Sequence, residues 1–185
     1  MENQKNDVRV IKTQRALKDA LFVLLKKQAF AKITIKEICQ KAMVSRSTFY
    51  AHFEDKYKLL EYSLEDLRKE SFGENRSAEI KKYIGDVLRM IQRHKKIFYN
   101  LTIEYIDFEV MEILKEDLVE VVLAFLAKDH QITSISTFEA DVISSFYAMG
   151  ILQAIITWLS EGTPVGTKQM TDLLLQLISP LEFEI

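Results

Sequence analysis

Between Val44 and Leu60 the chain reads VSRSTFYAHFEDKYKLL. A helix begun by Ser45 as N-cap turns about 100° per residue along this stretch. Phe49 and Phe53 then share one side with Val44 and form an apolar face. Ser47, Thr48 and Ala51 fall opposite, flanked by Arg46, Tyr50 and His52. Hydroxyl, guanidinium, phenol and imidazole tips thus surround one small gap at Ala51. Such a set matches duplex DNA: hydroxyls and phenols bond phosphate oxygens, and an arginine bonds guanine through two parallel N–H groups. An ordinary solvated face carries mostly Glu, Lys and Gln. The alternatives that remain are a surface salt bridge for Arg46 and simple packing for His52.

Cations surround this stretch. Lys56 opens the next helix, where its ammonium and the free backbone amides both favour a phosphate. Lys36, on the first turn of the preceding helix, is a candidate for a phosphate or a base edge, and Arg9 and Lys12 can reach the backbone from the first helix. Thr34 is a helix cap whose phosphate contact is left open. The candidate DNA-contacting set is Thr34, Lys36, Ser45, Arg46, Ser47, Thr48, Tyr50, Ala51, His52 and Lys56.

Helices must position these groups. Val8, Ile11, Ala16, Leu17, Ala20, Leu21, Leu24 and Leu25 recur at three- and four-residue steps and predict a helix over Val8–Gln28. Thr34-Ile-Lys-Glu37 is a capping box that opens a short helix to about Ala42. Met43-Val44 is a turn, Ser45 caps a third helix through about His52, and Asp55 caps a longer one. Two short helices joined by a tight turn form the helix-turn-helix unit.

Charge agrees with this placement. Residues 1–58 hold 13 Lys and Arg against 6 Asp and Glu, whereas residues 59–185 hold 12 against 21. A basic front third on an acidic remainder suggests that one end meets a polyanion. With only 5 Gly and 2 Pro in 185 residues, and 48% hydrophobic residues, the expected fold is all-α with a sizeable core. The single Cys39 excludes an internal disulfide and reads as a small core residue, a redox sensor being the alternative. The polar start MENQKNDVRVIK lacks the apolar segment of a secretory signal, so a cytoplasmic location is expected.

The acidic remainder predicts further helices over Ser77–His94, Asp107–Lys128, Val142–Leu159 and Thr167–Ile178. VISSFYAMGILQAIITWL, from Val142 to Leu159, is uncharged and touches the lower length limit for a membrane span. Ser144, Ser145, Gln153 and Thr157 dilute it, and a helix apolar nearly all round is equally suited to burial on two sides. We therefore expect no membrane span but an isologous homodimer through the last two helices, with Phe146, Met149, Gly150, Gln153, Ile156, Trp158, Leu174 and Leu177 at the interface, the alternative being that these helices only complete a monomeric core.

ITIKEICQKAMVSRSTFYAHFEDKYKLL resembles the DNA-binding region of the tetracycline-repressor (TetR) family of bacterial regulators, over roughly Val8 to Tyr62. The run S-x-S-T-F-Y-x-H-F-x-D-K-x-x-L-L carries the likeness. The resemblance implies a three-helix DNA-binding domain, here residues 1–54, and a helical regulatory and dimerisation domain, here residues 55–185. It places Lys36 on the supporting helix, Arg46, Ser47, Thr48, Tyr50, Ala51 and His52 on the reading helix, and Lys56 as a backbone clamp. That family usually has Gly, or another residue tolerant of positive φ, in the turn, where this chain has Met43. FYAMGILQAIITWLSEGTPVGTKQM is similar to a subgroup that includes regulators of dihydroxyacetone metabolism.

The functional expectation is a sequence-specific transcription regulator, a repressor of a double-stranded DNA operator that responds to a small-molecule effector. The alternative is a co-regulator acting through a partner protein docked on the C-terminal domain. Tyr83, Phe98, Tyr105, Phe125, Phe146 and Tyr147 are candidates for an effector pocket, with plain core packing as the other reading. No cofactor is expected. The three histidines show no metal-ligand spacing, and no nucleophile or phosphate-loop motif points to an enzyme.

Overall fold

The computed structural model describes residues 2–73, 80–103, 107–126 and 136–178. All regular structure among the described residues is helical: α1 (Glu2–Leu25), a 3₁₀ turn (Phe30–Lys32), α2 (Ile35–Ala42), α3 (Arg46–Tyr50), α4 (Lys56–Phe72), α5 (Ile80–Arg93), α6 (Lys95–Thr102), α7 (Phe108–Leu126), α8 (Thr137–Ser160) and α9 (Thr167–Ile178). The chain forms two compact units, Met1–Leu67 with Lys96–Asp107, and Arg68–Lys95 with Phe108–Ile185.

In the first unit, α1 packs along α2 and α2 along α3. Leu17, Leu21, Leu25, Phe30, Ile33, Ile38, Phe49, Leu59 and Leu60 form a fully enclosed core. Local chemistry starts each short helix. Thr34 Oγ1 accepts from the Glu37 amide at 3.3 Å while the Glu37 carboxylate accepts from the Thr34 amide at 2.8 Å, so the capping box is complete. Ser45 Oγ accepts from the Thr48 amide at 3.0 Å and starts α3. Asp55 Oδ1 accepts from the amides of Tyr57 and Lys58, both at 2.8 Å, and starts α4.

Side chains distant in sequence tie later segments to this unit. The mostly buried Lys18 ammonium pairs with Asp66 of α4 at 2.6 Å. Asn100 of α6 donates to the Leu25 carbonyl at 2.7 Å, satisfying one of the orphan acceptors at the end of α1. The Tyr57 hydroxyl donates to the Asp107 carboxylate. None of these partners lies within 40 residues of the other, so no local pattern announced them.

In the second unit α7 lies along α8 and α5 along α9, around Tyr83, Leu88, Val122, Ala148, Leu152 and Leu174. α8 starts earlier than its apolar run predicts. A capping box of Ser136 and Glu139 sets its N-terminus, with the Ser136 amide donating to the Glu139 carboxylate at 2.6 Å. Its C-terminus is fixed just as firmly. Lys95 donates to the Gly162 carbonyl at 2.8 Å and contacts Thr163 Oγ1 at 3.0 Å, and both residues hold positive φ. A cation at a helix C-terminus also complements the helix dipole. By length and composition α8 suffices to cross a membrane, yet 44% of its most apolar stretch is buried inside the protein.

Candidate nucleic-acid interface

α3 is held from beneath. Phe49 is fully buried and Phe53 nearly so, and their rings lie 6.1 Å apart. Phe53 in turn meets the Tyr62 ring of α4 at 5.4 Å. These contacts leave Ser45, Arg46, Ser47, Tyr50 and Ala51 exposed, with Thr48 and His52 half-buried at the edge. α3 closes at Tyr50, two residues short of the expected end, and Ala51 is its C-cap. The chain keeps turning, since the His52 and Phe53 amides both bond the Phe49 carbonyl at 2.9 Å. Tyr50 is 57% exposed and stands edge-on to Phe49 at 5.4 Å, so its hydroxyl is carried on an anchored ring.

Hydroxyls cluster at the start of α3. Ser45 Oγ lies 2.8 Å from both Ser47 Oγ and Thr48 Oγ1. One hydroxyl can donate once and accept twice, so this trio can re-aim its protons toward an incoming phosphate without leaving a group unpaired. On α2, Lys36 is exposed. The Thr34 hydroxyl lies 2.7 Å from the Glu37 carboxylate and donates to it, which commits its one proton to the cap. That cap and the Gln28 side chain hold the Glu37 carboxyl below its ordinary range, the Thr34 hydroxyl acting most strongly. Arg9 and Lys12 are exposed on α1.

Met43 is the C-cap of α2 and sits in the left-handed region, at φ 56° and ψ 40°. The Val44 amide bonds the Cys39 carbonyl at 3.0 Å and the Met43 amide bonds the Gln40 carbonyl at 3.3 Å, closing α2 in the manner of a Schellman end. The tight turn therefore forms as the motif requires, at a steric cost of about 1–2 kcal/mol for a residue with a Cβ. Cys39 is buried beneath it, and burial pushes its thiol pKa up.

Lys56, expected as a phosphate clamp, is engaged within the protein. Its Nζ donates into the protein, to the carbonyls of Phe30 at 3.1 Å, Ile33 at 3.2 Å and Ala31 at 3.4 Å. It also stands 4.5 Å from the centre of the Phe30 ring. The ammonium thus fastens the 3₁₀ turn to the start of α4, adding a charged donor to the Phe30 carbonyl, which already accepts from the Ile33 amide, and reaching the Ala31 and Ile33 carbonyls as well. Burial lowers the Lys56 pKa, and the nearby Asp107 carboxylate opposes that shift. These contacts are tertiary: the carbonyls arrive from 23 to 26 residues upstream.

The expected dimer face divides into two sets. Phe146 (72% exposed), Met149, Gly150, Gln153 and Leu177 point outward. Ile156, Trp158 and Leu174 are buried within the second unit instead. Trp158 Nε1 donates to the Val165 carbonyl at 2.8 Å, so its ring is spent on the turn between α8 and α9. Phe138 and Val142, outside the expected set, are exposed on the same side of α8 at four-residue steps from Phe146. Their signal was legible as 138, 142, 146 spacing, but the helix was expected to begin only at Val142.

The candidate pocket residues are distributed over both units. Tyr83 and Phe98 are buried and belong to different units. Phe146 is exposed and stands edge-on to the half-buried Tyr147 at 5.4 Å. The side chains of Tyr105 and Phe125 lie outside the described residues. Phe146 and Tyr147 instead line a shallow apolar groove of about 230 Å³ between α8 and α9, with Gly150, Leu174 and Leu177. Among the described residues, no three His, Cys, Asp or Glu side chains stand together to hold a metal ion.

Comparison with known proteins agrees with this arrangement. Residues 17–62 match the family described as bacterial regulatory proteins, tetR family, and residues 78–180 match a transcriptional regulator C-terminal region. The chain is 24% identical over 179 residues to the uncharacterized HTH-type transcriptional regulator YxbF of Bacillus subtilis, covering 90% of this chain and 45% of that protein. This chain thus spans less than half the length of that relative. Among solved structures, a TetR transcriptional regulator from Streptococcus agalactiae superposes with a TM-score of 0.71 at 22% identity, covering 95% of this chain and 98% of that one. The dihydroxyacetone kinase operon activator DhaS gives 0.58 at 17% identity, with coverages of 91% and 94%. NalD, the secondary repressor of the MexAB-OprM efflux pump in Pseudomonas aeruginosa, gives 0.57 at 15% identity, with 97% of each chain covered.

Proposed function

From the premise that the chain belongs to the tetR family of bacterial transcriptional regulators, we propose that it acts as a homodimeric repressor whose two α3 helices read the half-sites of a near-palindromic operator. The observation that carries the reading is the exposed set Arg46, Ser47 and Tyr50 on a helix anchored by the buried Phe49. Arg46 supplies base recognition, and the Ser45, Ser47 and Thr48 hydroxyls with Tyr50 fix the backbone. Repression needs only occupancy of the operator, which a DNA reader and a dimer face suffice to give. Similar solved structures include both an operon activator and a repressor, so a promoter–reporter assay decides the sign.

Dimerisation is assigned to the uncharged stripe of Phe146, Met149, Gly150 and Gln153 on α8, with Leu177 of α9. Gly150 supports this: a Cβ added there meets nothing within 4 Å. Its own fold does not require a glycine in mid-helix, where one costs roughly 0.5–1 kcal/mol against Ala. Close approach of a second helix does. An effector acts by changing the separation of the two reading heads, so that both no longer fit the groove together.

The test is selection of DNA from a random pool by wild type and Arg46→Ala in parallel. A palindromic consensus that relaxes at one position in the variant supports the reading. A folded dimer that enriches no sequence refutes it, and favours the partner-docking alternative, for which Phe138 and Val142 extend the exposed apolar face. Binding that falls steeply with salt marks the DNA reader.

A further inference from the structure

The turn requires a left-handed residue at position 43, but folding does not explain why that residue is methionine. Met43 holds a left-handed backbone, which a residue without a Cβ adopts at no steric penalty. Its side chain is 92% exposed, the highest value among the exposed large hydrophobic residues, so packing returns nothing for that strain. Backbone strain unsupported by packing points to a role at a working surface. The surroundings say which surface. Lys41, Arg46, Ser47 and Tyr50, all within seven residues of Met43, are exposed, and the Arg46 charge reaches the buried Cys39 of the same α2 end. A bare thioether beside cations and hydroxyls suits a partner that presents phosphate together with small apolar groups. Duplex DNA does so in its major groove, where the thymine C5-methyl is the apolar group on a base edge.

We infer that Met43 is a specificity-determining residue, whose side chain packs on a thymine methyl next to the position read by Arg46. The inference rests on the DNA-reading function proposed above. Met43 selects A·T at one position per half-site through dispersion and loss of water, while Arg46 selects through hydrogen bonds. Removing one buried methyl contact costs about fourfold in affinity per half-site, or about 15-fold for a dimer on two half-sites.

The experiment uses the full chain and the operator enriched from a random pool. Wild type, Met43→Gly and Met43→Asn are compared on that operator and on one in which each thymine is replaced in turn by uracil, which lacks only the methyl. Glycine and asparagine both accept the left-handed turn, so thermal melts are expected at or above the wild-type midpoint. The expected result is a loss of about 15-fold for both variants, relaxed thymine preference at one symmetric position, and a uracil penalty there that wild type shows and the variants do not. Variants that bind with wild-type affinity and preference overturn the inference. So does a uniform loss with equal uracil penalties in all three proteins, which places Met43 against the sugar-phosphate backbone. If wild type enriches no sequence, the DNA-reading proposal itself fails, a result distinct from either of these.

Discussion

Replacing Lys56 by Met tests whether this lysine is a fastener or a DNA clamp. The substitution keeps most of the stem and removes the ammonium, leaving the carbonyls of Phe30, Ala31 and Ile33 without that donor. Hydrogen bonds to charged groups contribute about 1.5–3 kcal/mol, and a cation over an aromatic face adds about 0.5–1. Burial of the ammonium opposes this, as its lowered pKa shows. A net loss of about 2 kcal/mol follows. With a urea m-value of about 2 kcal/mol/M, the midpoint falls by about 1 M. The pH dependence has a defined sign. Because the folded-state pKa lies below the ordinary lysine value, the unfolded chain binds more protons between the two, and wild-type stability rises with pH through that alkaline window. Lys56→Met removes that rise. The companion assay is the salt dependence of operator binding, whose slope stays at the wild-type value if the ammonium is structural. An unchanged urea midpoint, together with a slope reduced by about 0.9 per protomer, would refute the reasoning and return Lys56 to the phosphates.

Other perturbations read different parts of the molecule. Phe146→Glu removes a ring that is 72% exposed in one protomer; burying it is worth about 2 kcal/mol, twice over in an isologous pair, so sedimentation should show dimerisation weakened by about a thousandfold or more. Gly150→Leu is expected to give a stable helix but a monomeric chain, and a dimer persisting at wild-type concentration would displace the helix crossing from this point. Lys18→Ala leaves the partly buried Asp66 carboxylate without this ammonium, and unfolding should register about 2–3 kcal/mol of destabilisation, less than for a fully enclosed pair. Glu37 and Glu139 both have lowered carboxyl pKa values from their capping boxes, so their contribution is present above the ordinary carboxylate range and is lost as pH falls through the folded values. Glu37→Gln and Glu139→Gln should therefore flatten the acid side of the stability profile, measured by denaturant unfolding between neutral and acid pH.

Much of the fold was legible because it is decided within a few residues. The Thr34–Glu37 box, the Ser45 cap and the Asp55 cap are short-range hydrogen bonds, and each starts a helix where the residue types announce it. The 3.6-residue rhythm of Phe49 and Phe53 placed the apolar side of α3 inward, which by itself turned Arg46, Ser47 and Tyr50 to the surface. The identical Ser136–Glu139 box lies ahead of the uncharged run, so the apolar pattern alone places the start of α8 too late and leaves Phe138 outside it.

Periodicity fails where a helix is apolar on every side. Nothing local distinguishes Phe146 from Trp158 on α8; packing along α7 and the Val165 carbonyl decide that the indole turns inward and the phenyl stays outside. The same limit applies to charge. Sequence position alone makes Lys56 a candidate for phosphate contact, but carbonyls more than twenty residues away decide where its ammonium points. Sequence by itself determined the helices and the chemistry of the exposed face of α3, because caps and rhythm are short-range. Tertiary structure alone decided which apolar and charged groups remain for a partner, because burial depends on which distant segments arrive to cover them.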